Sequence, residues 1–355
     1  MKLIKQLFFL KSPIKFRKAL YILFALALFT IIACSNEGVS ISSEANLVLH
    51  KNAMSGTPQL LTSLSSGAMG SAIGPDGALY VTQSGMGGSI LRIDKKTGDI
   101  TTSASGLPTS VVPIGGVIDV AFMDETAYAL VTLVGPFFGD ENINGIYRID
   151  GPDSYTVIAD IGEFALANPP SGFDFFIPMG LQYAFQPYRG GFLVTDGHHN
   201  RVYHVTLDGE VSEFKTFDNI VPTGLDVHGN TVYITEAGTT DQAHENSKVV
   251  SIDSKSLDVS NVAWGAPLMV DVEFNRGRTL FAISQGSWAG VAAGDAAEPD
   301  TGALVRVNED GTLSTIADGL DRPTSLEFVQ NTAYIVTLTG EVWTVDNVAG
   351  PPFGM

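Results

Sequence analysis

Short segments in which apolar and polar residues alternate recur along most of this chain. The most regular of them ends in an aromatic or aliphatic residue, then Val or Ile, then Thr or Ser. Six copies are present, at residues 78–82, 127–132, 191–195, 231–235, 279–284 and 333–337. Alternation with a period of two predicts β-strands that bury one face.

Each copy follows a shorter alternating segment and precedes a third one, at residues 89–94, 145–150, 201–205, 248–253, 303–308 and 341–346. Tight turns such as Asp208-Gly209 and Asp310-Gly311 then lead to a fourth segment, and Asp-Gly between alternating segments is a strong hairpin signal. A repeat of about 45 to 60 residues is typical of propeller blades. The chain is therefore predicted to be all-β, a six-bladed β-propeller of four-stranded antiparallel blades; six copies argue against five or seven blades.

The last repeat stops after its third strand, at Asp346. Residues 59–67, which precede the first repeat, resemble the fourth strand at 312–319. We expect the N-terminal strand to complete the last blade and close the ring, because an open ring would expose two sheet edges. The predicted propeller spans residues 58–348.

The first 33 residues have the pattern of a targeting segment. Six cations precede an uncharged apolar run at residues 19–33, which is short for a membrane span and ends in small residues. Ile31-Ile32-Ala33-Cys34 fits a lipobox, in which Cys34 is acylated and becomes the N-terminus. An ordinary secretory signal and a membrane-spanning anchor are the alternatives. Residues 34–57 are expected to form a flexible tether and residues 349–355 a loose tail.

Cysteine content and net charge limit how the fold can be stabilised and which kinds of molecule it can bind. Cys34 is the only cysteine, so no disulfide can stabilise the fold. The whole chain has a net charge of −18, and removal of the six targeting cations leaves 14 basic against 38 acidic residues, or −24. Such a surface repels nucleic acid and anionic lipid head groups. We expect a secreted protein, anchored by lipid at Cys34 in the bacterial cell envelope, at the outer membrane where one exists.

Several phrases resemble the ScyD/ScyE family of exported propellers. They are residues 73–81, 221–225 and 301–311, and Asp196-Gly197-His198-His199-Asn200-Arg201-Val202 is similar to the NHL repeat. The resemblance covers about residues 58–346 and rests mostly on strand and turn residues. It implies an exported six-bladed propeller linked to secondary metabolism or to the envelope, and it brings no catalytic motif.

Long insertions predict a binding face. The segments 134–144, 165–178, 238–247 and 286–300 all fall in connections that leave the propeller at one end, and variable loops on one face of a rigid scaffold usually bind. Aromatic residues in these loops suit a sugar ring, an aromatic metabolite or a peptide; they are Phe137, Phe138, Phe175 and Trp288. The alternative is that these rings seal the loops against the blades.

When the blades are aligned, the position at the start of the first strand, at the predicted channel mouth, mostly carries a small residue. Two blades have an acidic residue there instead. Asp119 and Asp271 belong to blades 2 and 5, which face each other across a six-fold ring. With oxygens from the ends of the second strands they suggest a Ca²⁺ site or a site for a cationic or hydroxylated ligand; those residues are Gln83, Asp196, Glu236 and Gln285. The alternative is that Asp119 and Asp271 accept backbone N–H bonds.

No strong catalytic motif is present in the sequence. His198, His199 and His204 are close in sequence, but a zinc site needs three or four converging ligands, so we expect surface or turn histidines here. We find no nucleophile elbow, phosphate loop or dinucleotide fingerprint. Two functions stay open. The favoured one is a binding lipoprotein that holds a small molecule, glycan or protein on the loop-rich face. The alternative is a calcium-dependent enzyme of the lactonase or quinone-dependent dehydrogenase type, disfavoured because the candidate site lacks a basic residue.

Overall fold

A computed structural model describes residues 56–172, 175–239, 246–288, 290 and 295–348. The targeting segment, Cys34, most of the predicted tether and the predicted tail lie outside these residues, as do parts of the insertions at 165–178, 238–247 and 286–300. Within the described ranges, no helix has the length and apolar character needed to span a bilayer.

The described chain folds into six antiparallel sheets of four strands each. Blade 1 contains β2 (Ala68–Ile73), β3 (Leu79–Gln83), β4 (Ser89–Ile93) and β5 (Ile100–Ala104). Blade 2 contains β6 (Gly116–Met123), β7 (Thr126–Thr132), β8 (Gly145–Gly151) and β9 (Ser154–Asp160). Blade 3 contains β10 (Gln182–Tyr188), β11 (Gly191–Asp196), β12 (Arg201–Thr206) and β13 (Val211–Thr216).

Blade 4 contains β14 (Pro222–His228), β15 (Thr231–Glu236), β16 (Lys248–Asp253) and β17 (Val259–Trp264). Blade 5 contains β18 (Met269–Phe274), β19 (Leu280–Ser284), β20 (Gly302–Val307) and β21 (Leu313–Leu320). Blade 6 contains β22 (Pro323–Val329), β23 (Thr332–Thr337), β24 (Glu341–Asp346) and β1 (Gln59–Ser63). A short helix, α1 (Ile161–Ala167), lies between blades 2 and 3.

The ring closes as the sequence predicted. In blade 6 the strand order is β1-β24-β23-β22, so the earliest strand pairs with the latest. The pairing is antiparallel and runs from Gln59 opposite Thr344 to Ser63 opposite Glu341. The six-bladed propeller with an N-terminal closing strand is therefore confirmed.

Alternating apolar residues on both faces of each sheet produce a separate apolar cluster at every blade–blade interface. Between blades 2 and 3, Tyr128 and Phe185 both pack on Phe192, with ring centroids 4.9 and 5.1 Å apart. Between blades 5 and 6, buried Ile283 and Leu326 belong to one cluster. Burial of this kind stabilises the folded state by about 25 cal/mol per Å² of apolar surface. It therefore provides the stability that disulfides would otherwise contribute.

The two ends of the propeller differ in their connections. The turn face carries the connections from first to second and from third to fourth strands, which are short, such as 124–125, 189–190 and 207–210. The loop face carries the connections from second to third strands and between blades. Its long connections are residues 105–115, 133–144, 161–181, 237–247 and 285–301.

Candidate functional site

The first strands of the six blades line a cavity on the propeller axis. Polar side chains make up much of its wall; they are Ser71, Asp119, Tyr183, Gln186, Asp271, Glu273, Thr324, Ser325 and Glu327. Asp119 and Asp271, the two acidic residues predicted from the sequence, both line this cavity, from blades 2 and 5. None of its wall residues, all within the described ranges, is Lys, Arg or His.

Both predicted aspartates are held by backbone N–H groups. Asp119 accepts from Val120 at 2.9 Å and from Phe185 of blade 3 at 3.0 Å. Asp271 accepts from Val272 at 2.9 Å and from Leu326 of blade 6 at 2.7 Å. Each carboxylate therefore joins its own first strand to that of the next blade.

Two further polar residues form the same joint at other interfaces. Asp226 of blade 4 accepts the N–H of Phe274 in blade 5 at 3.0 Å. Ser325 of blade 6 accepts the N–H of Ser71 in blade 1 at 3.1 Å, and the two hydroxyls are 2.9 Å apart. A polar acceptor on the first strand thus recurs as a link between neighbouring blades, at one level for Asp119, Asp271 and Ser325 and two residues further along the strand for Asp226. This role accounts for the position of Asp119 and Asp271.

Glycine allows the close approach of the strands that carry these aspartates. A Cβ atom at Gly70 would lie 2.7 Å from the Cα of Asp119, and one at Gly224 would lie 2.5 Å from the Cα of Asp271. Both distances are too short for real atoms, so a side chain at either position would push two blades apart.

Two glutamates in the cavity were missed by the sequence analysis. Glu273 and Glu327 follow Asp271 and Ser325 by two residues on their strands, so they face the axis in the same way. The alternation Asp271-Val272-Glu273 was the available signal. Together with Asp119 and Asp271, the two glutamates place four carboxyl groups in a narrow space.

Burial and mutual repulsion shift the acidity of these groups. Burial, opposed in part by its backbone hydrogen bonds and reinforced by the charge of Asp226, raises the pKa of Asp271 to about 7. Burial raises the pKa of Asp119, Glu273 and Glu327 well above their usual range, and neighbouring carboxylates add to the effect. Close like charges favour the neutral acids, so the channel holds protons that exposed carboxyls would release.

Tyr183 crosses the axis from blade 3 to blade 6. Its hydroxyl donates to the carbonyl oxygen of Thr324 at 3.5 Å. Since each first strand runs from the loop face to the turn face, the ring lies on the loop-face side of Asp119 and Asp271. Sequence analysis did not predict this barrier between the loops and the carboxylates.

The structure does not bring the second-strand residues into the cavity. Gln83, Asp196, Glu236 and Gln285 are absent from its wall, and the predicted convergence with Asp119 and Asp271 is not seen. Successive side chains of a strand point to opposite faces of its sheet, and in a blade those faces meet neighbouring blades and not the axis. Nowhere in the described ranges do three or more His, Cys, Asp or Glu side chains form a group suited to a metal ion.

Asp196 is fully buried and forms hydrogen bonds that hold neighbouring segments of the chain together. It accepts the backbone N–H groups of Leu181 at 2.9 Å and His199 at 3.0 Å. It also accepts from the Gln182 amide at 3.0 Å and the Tyr203 hydroxyl at 3.1 Å. Asp196 therefore fastens the connection before β10 to the turn after β11.

The other three residues predicted as oxygen ligands also contact nearby groups. Glu236 lies 3.4 Å from the ammonium of Lys248, and burial raises its pKa. The Gln83 side chain accepts from Ser89 Oγ at 2.7 Å. The Gln285 side chain accepts the N–H of Ala297 at 3.1 Å.

The loop-face aromatic residues divide into sealing and exposed rings. Phe175 packs edge-on against His198 and His199, with centroids 5.5 and 5.3 Å apart, and Trp288 packs on a small buried cluster that includes Leu268. Phe137 is 38% exposed and contacts Phe138 at 5.1 Å. Packing of the loops against the blades therefore accounts for Phe175 and Trp288 but not for the exposed Phe137.

The neighbouring histidines are taken up by local contacts. His198 Nε2 accepts the N–H of Ile177 at 3.0 Å, and burial lowers the pKa of His198 to about 4. His199 Nε2 lies 3.0 Å from the carbonyl oxygen of Ile177, and His204 packs on Tyr188. His198 and His199 therefore hold the connection before β10 in place.

Exposed large apolar side chains in the loop-face connections are concentrated in blades 1 to 3. Five of them lie in connections of blades 1 to 3: Met86, Val111, Phe137, Leu166 and Phe176. We call this set the apolar arc. Among described residues in turn-face connections, Leu207 is the one exposed large apolar side chain.

Comparison with known proteins identifies the fold and no family. No family model matches the chain, and no curated protein matches it. Among solved structures, the chain is similar to a gluconolactonase from Xanthomonas campestris, with 14% identity, a TM-score of 0.57, and coverage of 81% of this chain and 89% of that one. It is also similar to virginiamycin B lyase from Staphylococcus aureus, with 15% identity, a TM-score of 0.51, and coverage of 81% and 98%.

A third similar structure is the PQQ-bound aldose sugar dehydrogenase from Streptomyces coelicolor. Its identity is 15%, its TM-score 0.55, and the match covers 81% of this chain and 96% of that one. At such low identity these likenesses carry information about architecture alone. This chain shares with them the fold of a six-bladed β-propeller.

Proposed function

We propose that this protein is an exported, lipid-anchored binding protein, and not an enzyme, which captures another molecule on its loop face. The observation that carries the proposal is the position of the apolar arc. Soluble proteins seldom cluster exposed apolar side chains unless the surface binds something. The loops stand on a rigid ring of sheets, which is the usual arrangement of a binding surface.

The anchor is part of the proposal. The lipobox at residues 31–34 supports acylation of Cys34, and the resemblance to the ScyD/ScyE family supports export. The test is metabolic labelling of producing cells with an alkyne fatty acid. Label on the full chain that is lost in Cys34→Ser supports the anchor, whereas equal labelling of both forms, or of neither, contradicts it.

Binding is tested by photo-crosslinking in intact producing cells. A photoreactive amino acid replaces Val111 on the loop face in one full-length variant and Leu207 on the turn face in the control. Both side chains are exposed, at 70% and 38%. Discrete adducts from position 111 alone support the proposal; equal adducts from both positions, or none, contradict it.

A calcium-dependent enzyme of the lactonase or quinone-dependent dehydrogenase type is the second candidate. The clustering of Asp119, Asp271, Glu273 and Glu327 in one cavity favours it, as does the similarity to proteins named gluconolactonase and aldose sugar dehydrogenase. The backbone bonds of both aspartates and the Tyr183 barrier count against it. Calcium titration of the melting temperature, with Asp271→Asn as control, discriminates: a calcium-dependent rise that the variant abolishes would favour the enzyme.

A further inference from the structure

We propose that the apolar arc binds a protein partner that presents apolar side chains together with Lys or Arg. This inference rests on the proposed binding function and adds the chemistry of the partner. Three features of the loop face carry it: exposed apolar side chains, hydrogen bonds that join their connections, and the sign of the charge around them.

Three side chains of the apolar arc are more than half exposed to solvent. Met86 is 75% exposed, Val111 70% and Leu166 54%. Helix α1 buries Ile161 and Ala165 and leaves Leu166 on its outer side. More than half of each of these three side chains is therefore accessible to a partner.

The connections that carry the arc are held to one another by hydrogen bonds. The N–H of Ser110 donates to the carbonyl oxygen of Gly85 at 2.8 Å, beside Met86 and Val111. The Ser110 hydroxyl donates to the carbonyl oxygen of Leu133 at 2.6 Å, which joins residues 105–115 to residues 133–144.

The same chain of bonds continues to helix α1. Asn144 at the end of the next connection accepts the N–H of Ile161, the first helical residue, at 2.9 Å. Its side chain accepts the N–H of Val134 at 3.1 Å. A preformed surface loses less entropy on binding than a set of independent loops.

Charge decides the kind of partner. The connections at 84–88, 105–115, 133–144 and 161–181 contain no Lys, Arg or His. Exposed Glu141 and Glu163 lie in the same connections as Phe137 and Leu166. Apolar contact at the centre of an interface with complementary charge at its rim is the pattern of specific protein recognition.

Other occupants fit this surface less well. Anionic lipid head groups and nucleic acid would meet like charge. A second copy of this chain would also bring negative charge against negative charge, because the whole chain carries −18. A protein with an apolar and basic surface satisfies both features of the arc.

The test uses the full chain in phosphatidylcholine nanodiscs, with empty discs as blank. The probe is an amphipathic peptide of Leu and Lys; the controls are the same pattern with Glu in place of Lys, and a Gly–Lys peptide without apolar residues. Binding is followed by fluorescence anisotropy. The arc variant combines Met86→Ser with Val111→Ser, the charge variant combines Glu141→Gln with Glu163→Gln, and Leu207→Ser is the matched control.

The expected result is binding of the Leu–Lys peptide alone, weakened about tenfold or more in the arc variant, since two exposed apolar groups lose their contact. The charge variant should weaken binding several-fold at low salt and little at high salt. Leu207→Ser should bind as wild type. All variants change exposed side chains, and unchanged melting temperatures verify their folding.

Several results would overturn the inference. Binding of the Leu–Glu peptide with equal strength removes the charge argument, and equal weakening by Leu207→Ser removes the arc. Binding to phosphatidylglycerol vesicles that the arc variant abolishes would assign the surface to lipid. Self-association in sedimentation that the arc variant abolishes would assign it to a second copy. If position 111 crosslinks in cells but the Leu–Lys peptide does not bind, the binding function stands and this partner class fails.

Discussion

The Asp271 carboxylate in blade 5 accepts the backbone N–H of Leu326 in blade 6 at 2.7 Å. The bond crosses from one sheet to the next where the first strands crowd the axis. An unpaired buried N–H group is costly, so this bond contributes to the joint between two blades. The charge of the carboxylate has the opposite effect, because burial opposes ionisation.

Removal of the acceptor at this joint is expected to destabilise the propeller. Asp271→Ala leaves the Leu326 N–H unpaired and should lower the free energy of unfolding by about 1–3 kcal/mol. Asp271→Asn keeps one acceptor oxygen without the charge and should cost less. Urea unfolding of the full chain measures both. The exposed turn residue Asp208 provides the control, and a loss from Asp208→Ala equal to that from Asp271→Ala would refute the role of the joint.

The acidic channel predicts that stability falls as the pH rises. The pKa of Asp271 is raised from 3.8 to about 7, so the folded state holds a proton that the unfolded state has released. This contribution is complete below about pH 4 and is lost as the pH rises through 7. The raised pKa values of Glu273 and Glu327 act in the same direction.

Melting temperatures at about pH 5.5 and about pH 8 measure this effect. We expect the higher value at pH 5.5 and a smaller difference in Asp271→Asn. Asp208→Asn removes one acidic group from an exposed turn and serves as the charge-matched control. A difference that stays the same in Asp271→Asn, or that Asp208→Asn reduces as much, would contradict the assignment to the channel.

Gly224 is predicted to tolerate no side chain. In Gly224→Ala the new Cβ atom would lie 2.5 Å from the Cα of Asp271, and the two blades must separate. Overpacking of this kind costs about 1–3 kcal/mol. Gly151→Ala is the control, because its Cβ atom would meet only the Ser154 hydroxyl, at 2.9 Å, and that side chain can rotate away whereas the backbone of Asp271 cannot. Equal unfolding curves for the two variants would contradict the close approach.

The fold could be predicted because its signals are local and repeated. Alternation defined the strands, and the unpaired segment at residues 59–67 indicated how the ring closes. The inward position of Asp119 and Asp271 followed from the same alignment. Sequence alone left open whether they bind a ligand or backbone, since that depends on which N–H group of the next blade lies opposite.

Other features of the site depend on contacts between blades that no local pattern encodes. The pairing of β10 with β11 shifts between Gln182 and Phe185, and such an irregularity re-aims side chains. Tyr183 lies in that shift, so alternation gave no guide to its path across the axis. One partner of Asp196, the N–H of Leu181, comes from a connection whose course the sequence does not specify.

Hydrogen exchange on the full chain, with and without the Leu–Lys peptide, shows which face of the propeller the peptide covers. If the loop face binds it, we expect slower exchange of backbone amides in the connections at 84–88, 105–115 and 133–144, and unchanged exchange in the turn-face connection at 207–210. Slower exchange confined to the turn face, or to the strands that line the channel, would contradict binding on the loop face.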